Sequence, residues 1–495
     1  MNTKAFIGTL RAFDWREENR TARRRTLKPA LLIAASFSLV ALPRADVITD
    51  WNDTAIKVFK AAGIGGVAPT RHLALVHVAQ FDAVNAVVGG YTPYFTSLAA
   101  PGASAEAAAA QAAYAVLKAL FPTNSLADPA LVASLATVPD GAPKTDGIAL
   151  GNATATALLL VRAGDGFNAS VHYTPLTPAP GAWQPATNSP IVSPQWRYVN
   201  PWTMTGASQF RAAPPPALTS DIYTADFNEI KSLGSTNSVT RTTNQTDIGF
   251  FHVELQHYLA GYAARAVLAT RPLPLVQSAR LFALIALAQA DAAITEWDTK
   301  YTYNLWRPQT AIRDADTDGN PDTSGDPNWS SLRPSPNHPE YAGAAAIIMT
   351  AATEVLADVF GDETAFTFES PTLPGKPRTF ARFSDLSADT VNARVYTGFH
   401  FRNSSMVGVA TGRQIAQLVL RNFLLPLPSA VSGQPQTNGA FQLNLLAIGA
   451  RPYVIETSSD LTSWMPWKTN LTGLVNEFDP GALDGNRKFY RTVAR

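Results

Sequence analysis

From Trp51 to about Arg162 apolar residues recur every three or four positions, with Ala-rich runs at Ser104 to Leu120 and Gly147 to Arg162. That period predicts helices, and alanine's small side chain predicts close packing between them, as in a bundle. Between Gly164 and Thr246 the period disappears and prolines cluster, as in TPLTPAPGAWQPATNSPIVSPQW and RAAPPPAL. Trp183, Trp196, Tyr198, Trp202 and Phe210 fall in this stretch. They are too many aromatics to leave in water, so it reads as an ordered loop system that either rims a site or braces two bundles. Helical spacing returns from about Thr246 to Thr270, Val276 to Lys300, Tyr341 to Phe360, Asp389 to Phe399 and Val407 to Leu424. Beyond Leu425 come a linker, 426–439, and short alternating runs over 440–495 (FQLNLLAI, YVIETSS, WMPWKTN, GLVNEF, RKFYRTV), which predict a small β-sandwich. The expected fold is mainly α, a double helical bundle over 46–425 with a C-terminal β module.

One helix is repeated. Arg71, Ala74, Leu75, Ala79, Gln80, Asp82 and Ala83 recur at identical spacing as Arg280, Ala283, Leu284, Ala288, Gln289, Asp291 and Ala292. Either two Ala-Leu helices agree by chance, or two related bundles each bury this helix and only the second carries a site. Asp82 and Asp291 lie in Ala-rich text, so each needs an Arg or backbone partner. His72 and His77 sit in an apolar helical pattern and read as packing residues. His252 and His257, five apart, do not share one face of a continuous helix, so a metal pair is not expected, although both can border a pocket. Asp314, Asp316 and Asp318 precede Gly319 as at the start of an EF-hand loop, but the twelfth position is Gly325. An Asx-rich turn is expected there rather than calcium.

The 495 residues carry 39 basic and 38 acidic side chains, a net charge of +1, which argues against a broad nucleic-acid or membrane-surface footprint. There is no cysteine, which excludes disulfides, zinc-thiolate sites and thiol nucleophiles. RTARRRTLK (20–28) followed by the apolar run 29–42 predicts a signal peptide over 1–45, of possible twin-arginine type, with cleavage near Ala45. A retained anchor is the alternative. No later segment reaches 18 uninterrupted apolar residues, so an exported protein, periplasmic or extracellular and off the membrane, is expected.

The candidate chemistry lies between Lys300 and His400, which reads KYTYNLWRP, HPEYAGAAA and NARVYTGFHF. Lys300, Arg307, Arg394 and His400, standing among aromatic and small residues, point to an oxyanion, since guanidinium forks and an ammonium bind its oxygens and an imidazole can bond its central atom. These segments resemble the signature K-x6-R-P, P-S-G-H, S-R-x5-H of the vanadium-dependent haloperoxidase and type 2 phosphatidic acid phosphatase superfamily. Lys300, Arg307 and Pro308 match the first part, and Arg394 and His400 the third. Trp297 to Tyr301, Arg307 to Arg313 and His338 to Tyr341 are closest to the bacterial haloperoxidase branch. The middle part departs: Ala342, Gly343, Ala344 and Ala345 stand where Pro, Ser, Gly and His belong. Ala393 replaces the Ser before Arg394, and Ser404 stands where many relatives have an Asp.

The resemblance implies vanadate as cofactor, with phosphate able to substitute. It implies His400 as its ligand, Lys300 as a catalytic polariser, Arg307 and Arg394 as clamps, and backbone N–H groups of Gly343 and Ala344 as further oxyanion donors. The acid-base histidine is absent, and His338 and Glu340 are candidate substitutes. Hydrogen peroxide, a halide and a small organic molecule would be the substrates, and a homodimer the candidate assembly. Three readings stay open: a haloperoxidase with reduced or altered activity, an oxyanion-binding remnant without turnover, and an acid phosphatase. Structural salt bridging of the four basic residues is the plain alternative. Ser458 to Trp464 and Phe489 to Arg491 resemble modules of exported bacterial proteins that suggest surface attachment or sorting.

Overall fold

The computed structural model describes residues 46–186, 189–427, 431–436, 440–447, 453–471, 473–480 and 488–494. The expected signal segment, 1–45, lies outside the described residues. The first bundle comprises α1 (Val47–Ala61), α2 (Ala68–Val88), α3 (Ala105–Leu120), α4 (Ala127–Ala136) and α5 (Ala142–Val161). After α6 (Asp221–Leu233) and α7 (Thr243–Phe251), the second is built on α8 (Gln256–Thr270), α9 (Leu275–Tyr303), α10 (Pro308–Arg313), α11 (Ala344–Phe360), α12 (Phe383–Tyr396) and α13 (Arg402–Asn422).

The repeated helix proves to be the spine of each half. α2 and α9 pack on each other, α2 packs on α3, α9 on α11, and each of those partners packs on a later helix, α5 or α13. Both outer pairs approach through glycines spaced four apart. A Cβ on Gly151 would lie 2.5 Å from Ala108 O, and one on Gly412 2.5 Å from Ile347 O, so only glycine permits these separations. The two conserved-spacing aspartates also do the same work. Asp82 accepts the amides of Tyr94, Phe95 and Thr96 at 2.8, 3.0 and 3.1 Å. Asp291 accepts those of Trp202, Thr203 and Met204 at 2.7, 2.7 and 3.1 Å. Each therefore pins a loop to its helix with backbone donors rather than an Arg. His72 is buried among Phe59, Phe121 and Phe167, and His77 bonds Asn52 and Gln80, both as packing groups.

Several elements differ from the sequence expectation. α6 lies inside the stretch read as non-helical: Ser220 caps it through Tyr223 N, and Tyr223, Phe227 and Ile230 form a buried stripe that its polar neighbours disguise. The helix expected over Thr246 to Thr270 is two helices broken at His252 to Leu255. α11 starts at Ala344, not Tyr341, and α12 starts at Phe383. A hairpin, β1 (Phe366–Phe368) with β2 (Arg378–Phe380), stacks phenylalanines over α12. The C-terminal module has two antiparallel sheets. One orders β3 (Val431–Pro435), β4 (Phe441–Ala447) and β7 (Gly473–Asp479), and the other β6 (Met465–Leu471), β5 (Tyr453–Ser458) and β8 (Phe489–Ala494). β3 falls in the expected linker because SGQP offers little strand signal and is held by pairing with β4.

The Pro- and Trp-rich loop braces the second bundle and reaches its cavity. Trp183 N donates to Asn304 O at 2.7 Å, and Val192 O accepts from Trp297 Nε1 at 3.1 Å and Tyr301 Oη at 2.9 Å. Trp183, Trp196 and Trp202 are buried, while Tyr198 is exposed. In the Asp-rich loop, Asp316 accepts from Gly325 N and Asp318 from Asn320 N and Thr323 Oγ1. The carboxylates serve as turn acceptors.

Candidate active site

A cavity of about 210 Å³ opens where α8, α11 and α12 meet. Arg394, His400, His338, Ala344, Ala345, Trp297, Val192, His252 and His257 contribute to its wall. Its volume is several times the ~30 Å³ of a water molecule, enough for a tetrahedral oxyanion.

His400 follows α12 and is buried. Its Nδ1 lies 3.0 Å from Glu340 Oε1, which also accepts Phe401 N–H at 3.0 Å. With Glu340 ionised, its Oε1 accepts from Nδ1–H, and the lone pair of the imidazole is left on Nε2. Burial, then Arg307, Lys300 and Arg394, hold the imidazole well below its usual range, so it is neutral and able to ligate. Glu340 thus supplies the orienting carboxylate that Ser404 cannot. Burial pushes Glu340 up to about 7, against the pull of Lys300 and Arg307.

Arg394 is buried, and its Nε has no hydrogen-bond partner among the described residues, while Nη1 makes a long 3.3 Å contact to His252 O. Gly343 N donates to Ser404 O at 3.0 Å and is spent. The next two amides, of Ala344 and Ala345, open α11 without a recorded acceptor among the described residues. A helix start with free N–H groups attracts an anion.

Lys300 and Arg307 are close but differently engaged. Lys300 Nζ donates to the carbonyls of Pro339, Glu340 and Ala342 at 3.1, 2.6 and 2.5 Å and pairs with Glu296 at 3.3 Å. Burial lowers its pKa to about 8 and raises that of Glu296 to about 7. Arg307 Nε donates to His338 O at 2.8 Å, Nη1 to Phe399 O at 3.0 Å, and Nη2 lies 2.9 Å from His338 Nδ1. Neither Lys300 nor Arg307 lines the cavity; both shape the His338 to Ala342 turn from behind. His338 does line it, its ring tilted against Trp297 with centroids 5.1 Å apart, whereas Glu340 sits on the far side of the His400 ring and lies off the cavity wall. His252 and His257 both border the cavity, as their sequence allowed, and reach it from opposite sides of the α7/α8 break, which that reading did not foresee.

Residues 280–425 match the family model of the VCPO second helical-bundle domain. That match covers the second bundle, and the solved structures below share the fold over most of the chain. The vanadium chloroperoxidase of Curvularia inaequalis is 28% identical over 151 residues, 26% of this chain and only 24% of that protein's length. A bacterial vanadium-dependent iodoperoxidase shares the fold with a TM-score of 0.67 and 22% identity, over 76% of this chain and 97% of the other. A holo-type bacterial vanadium-dependent chloroperoxidase gives 0.58 and 18%, over 77% and 95%. The donor set fits a small oxyanion such as vanadate: His400 with a free imidazole nitrogen, Arg394 with an unpartnered Nε, and Ala344 and Ala345 with bare helix amides share the wall of one small cavity.

Proposed function

We propose that this exported, periplasmic or extracellular protein is a vanadate-dependent haloperoxidase-like enzyme that oxidises halide with hydrogen peroxide, with activity altered by Ala345. The observation that carries the reading is His400, whose Glu340 contact leaves Nε2 as its only free nitrogen beside Arg394 and the Ala344 and Ala345 amides. When bound, vanadate would supply Lewis-acid activation of peroxide. His400 would hold it, Arg394 and the helix amides would take its oxygen charge, and Trp297 and Val192 would limit water. Lys300 would act through the turn it fixes until a ligand draws its ammonium forward. Position 345 offers no proton donor, and general acid-base help is worth about 10² to 10⁴ in rate.

The second reading, an oxyanion binder without turnover, is favoured by the saturated hydrogen bonding of Lys300. An acid phosphatase is favoured by neither observation, because its leaving alcohol would have no acid at position 345. The test is to load the protein with orthovanadate and follow bromination of a dye by peroxide, beside His400→Ala and Ala345→His. Bromination by wild type that disappears in His400→Ala supports the enzyme. Vanadate binding with bromination only in Ala345→His supports the binder.

A further inference from the structure

Four imidazoles line the cavity, and three are committed. His400 Nδ1 is on Glu340, and His338 faces Arg307 and the Pro339 carbonyl. His252 has Nε2 3.0 Å from Asp389 and Nδ1 near Gln256 and Thr390. His257 makes no hydrogen bond with its ring among the described residues, although it is only 3% exposed and its Nε2 is fully buried. It rests edge-on against Tyr258 at 4.5 Å. Buried polar groups in folded proteins are nearly always partnered, so an orphan imidazole on a cavity wall points to a ligand.

Its place gives the ligand. His257 lies in the first turn of α8, which packs on α11, and shares the cavity wall with Ala345, Arg394 and His400. Ala345 leaves room on the α11 side that an imidazole would otherwise fill. We propose that His257, reaching in from α8, hydrogen-bonds the tetrahedral oxyanion held by His400 and Arg394 and so replaces the side chain that position 345 lacks. A neutral imidazole always carries one N–H, so it can donate to an anion oxygen without first taking up a proton. Burial holds it neutral, with its pKa lowered to about 3. The inference rests on the oxyanion reading above.

The experiment titrates purified full chain with orthovanadate, and in parallel with inorganic phosphate, by equilibrium dialysis and ⁵¹V NMR. Wild type, His257→Ala, His257→Gln, His400→Ala and the double variant His257→Ala/Ala345→His are compared. His257→Ala should weaken orthovanadate binding roughly 10- to 100-fold, as loss of one hydrogen bond to a charged group does. It should also shift the ⁵¹V resonance. His257→Gln, which keeps a donor, should recover part of the affinity, and the double variant most of it. Wild-type affinity and an unshifted resonance in both His257 variants, with binding lost in His400→Ala, would overturn this inference alone. Failure of wild type to bind either anion would overturn it together with the oxyanion reading.

Discussion

The two bundles start from the same helices and end with opposite chemistry. Gly147 and Gly151 touch Ser104 O and Ala108 O as Gly408 and Gly412 touch Gly343 O and Ile347 O, so Ser104 corresponds to Gly343 and Glu106 to Ala345. In the first bundle Ser104 Oγ caps Ala107 N at 3.2 Å, and Glu106 sits in the first turn. That helix start satisfies itself and repels anions. The adjoining hollow, about 540 Å³, is lined by Asp46, Asp50, Thr54 and Glu106, with no Lys, Arg or His among its described residues. In the second bundle the cap is a glycine, the first turn is bare alanine, Arg394 and His400 share the cavity wall with it, and Lys300 and Arg307 stand behind the preceding turn. Val87 stands where Glu296 does, and α2 ends at Val88, so Lys300 has no helical counterpart. The difference teaches that the fold supplies a helix start in each half, and a handful of side chains decide which half accepts an anion.

The largest expected effect tests that contrast directly. Ala345→His should raise bromination by vanadate-loaded protein about 10²- to 10⁴-fold, whereas Glu106→His at the matching place should produce none in a bundle without a ligand imidazole. His400→Ala should weaken orthovanadate binding by about 100-fold or more in equilibrium dialysis, the expected loss of a ligand together with its orienting shell. The glycine pairs probe the shared part of the design. Gly151→Ala and Gly412→Ala should each cost about 1–3 kcal/mol by overpacking, read as matched falls in thermal midpoint. Unequal falls would break the equivalence of the halves.

The smallest effect concerns pH and the two buried carboxyls behind the second bundle's site. Glu296 and Glu340 have carboxyls raised from 4.5 to about 7 by burial. A raised carboxyl contributes stability that is complete below about 4.5 and is lost as pH climbs through about 7. Between pH 5 and 8 this fall opposes the rise contributed by buried imidazoles such as His257 and His400, whose pKa values lie below 6.5, and Glu296→Gln should turn the slope of thermal midpoint against pH upward by about 1 kcal/mol, since Lys300 offsets part of the cost. An unchanged slope in the variant would assign the fall elsewhere.

Much of this was legible in the sequence because it is local. The repeated helix, the Ala-rich periods and the Lys300, Arg307, Arg394 and His400 spacing each depend on residues a few positions apart. What was illegible is tertiary. Nothing in HPEY says that Glu340 turns toward His400 while Lys300 gathers the carbonyls around it. His257 reaches the cavity only because α7 and α8 break between the histidines. α6 forms because Tyr223, Phe227 and Ile230 find a surface to cover, and β3 because β4 lies beside it.

Gly343 carries a further consequence. A side chain there would begin 2.9 Å from both Ser405 Cα and Ser405 Oγ, so mutation cannot readily install the kind of self-sealing hydroxyl that Ser104 provides. The appetite of α11 for an outside acceptor is thereby fixed in the crossing of two backbones, and should outlast drift in the residues that decide turnover.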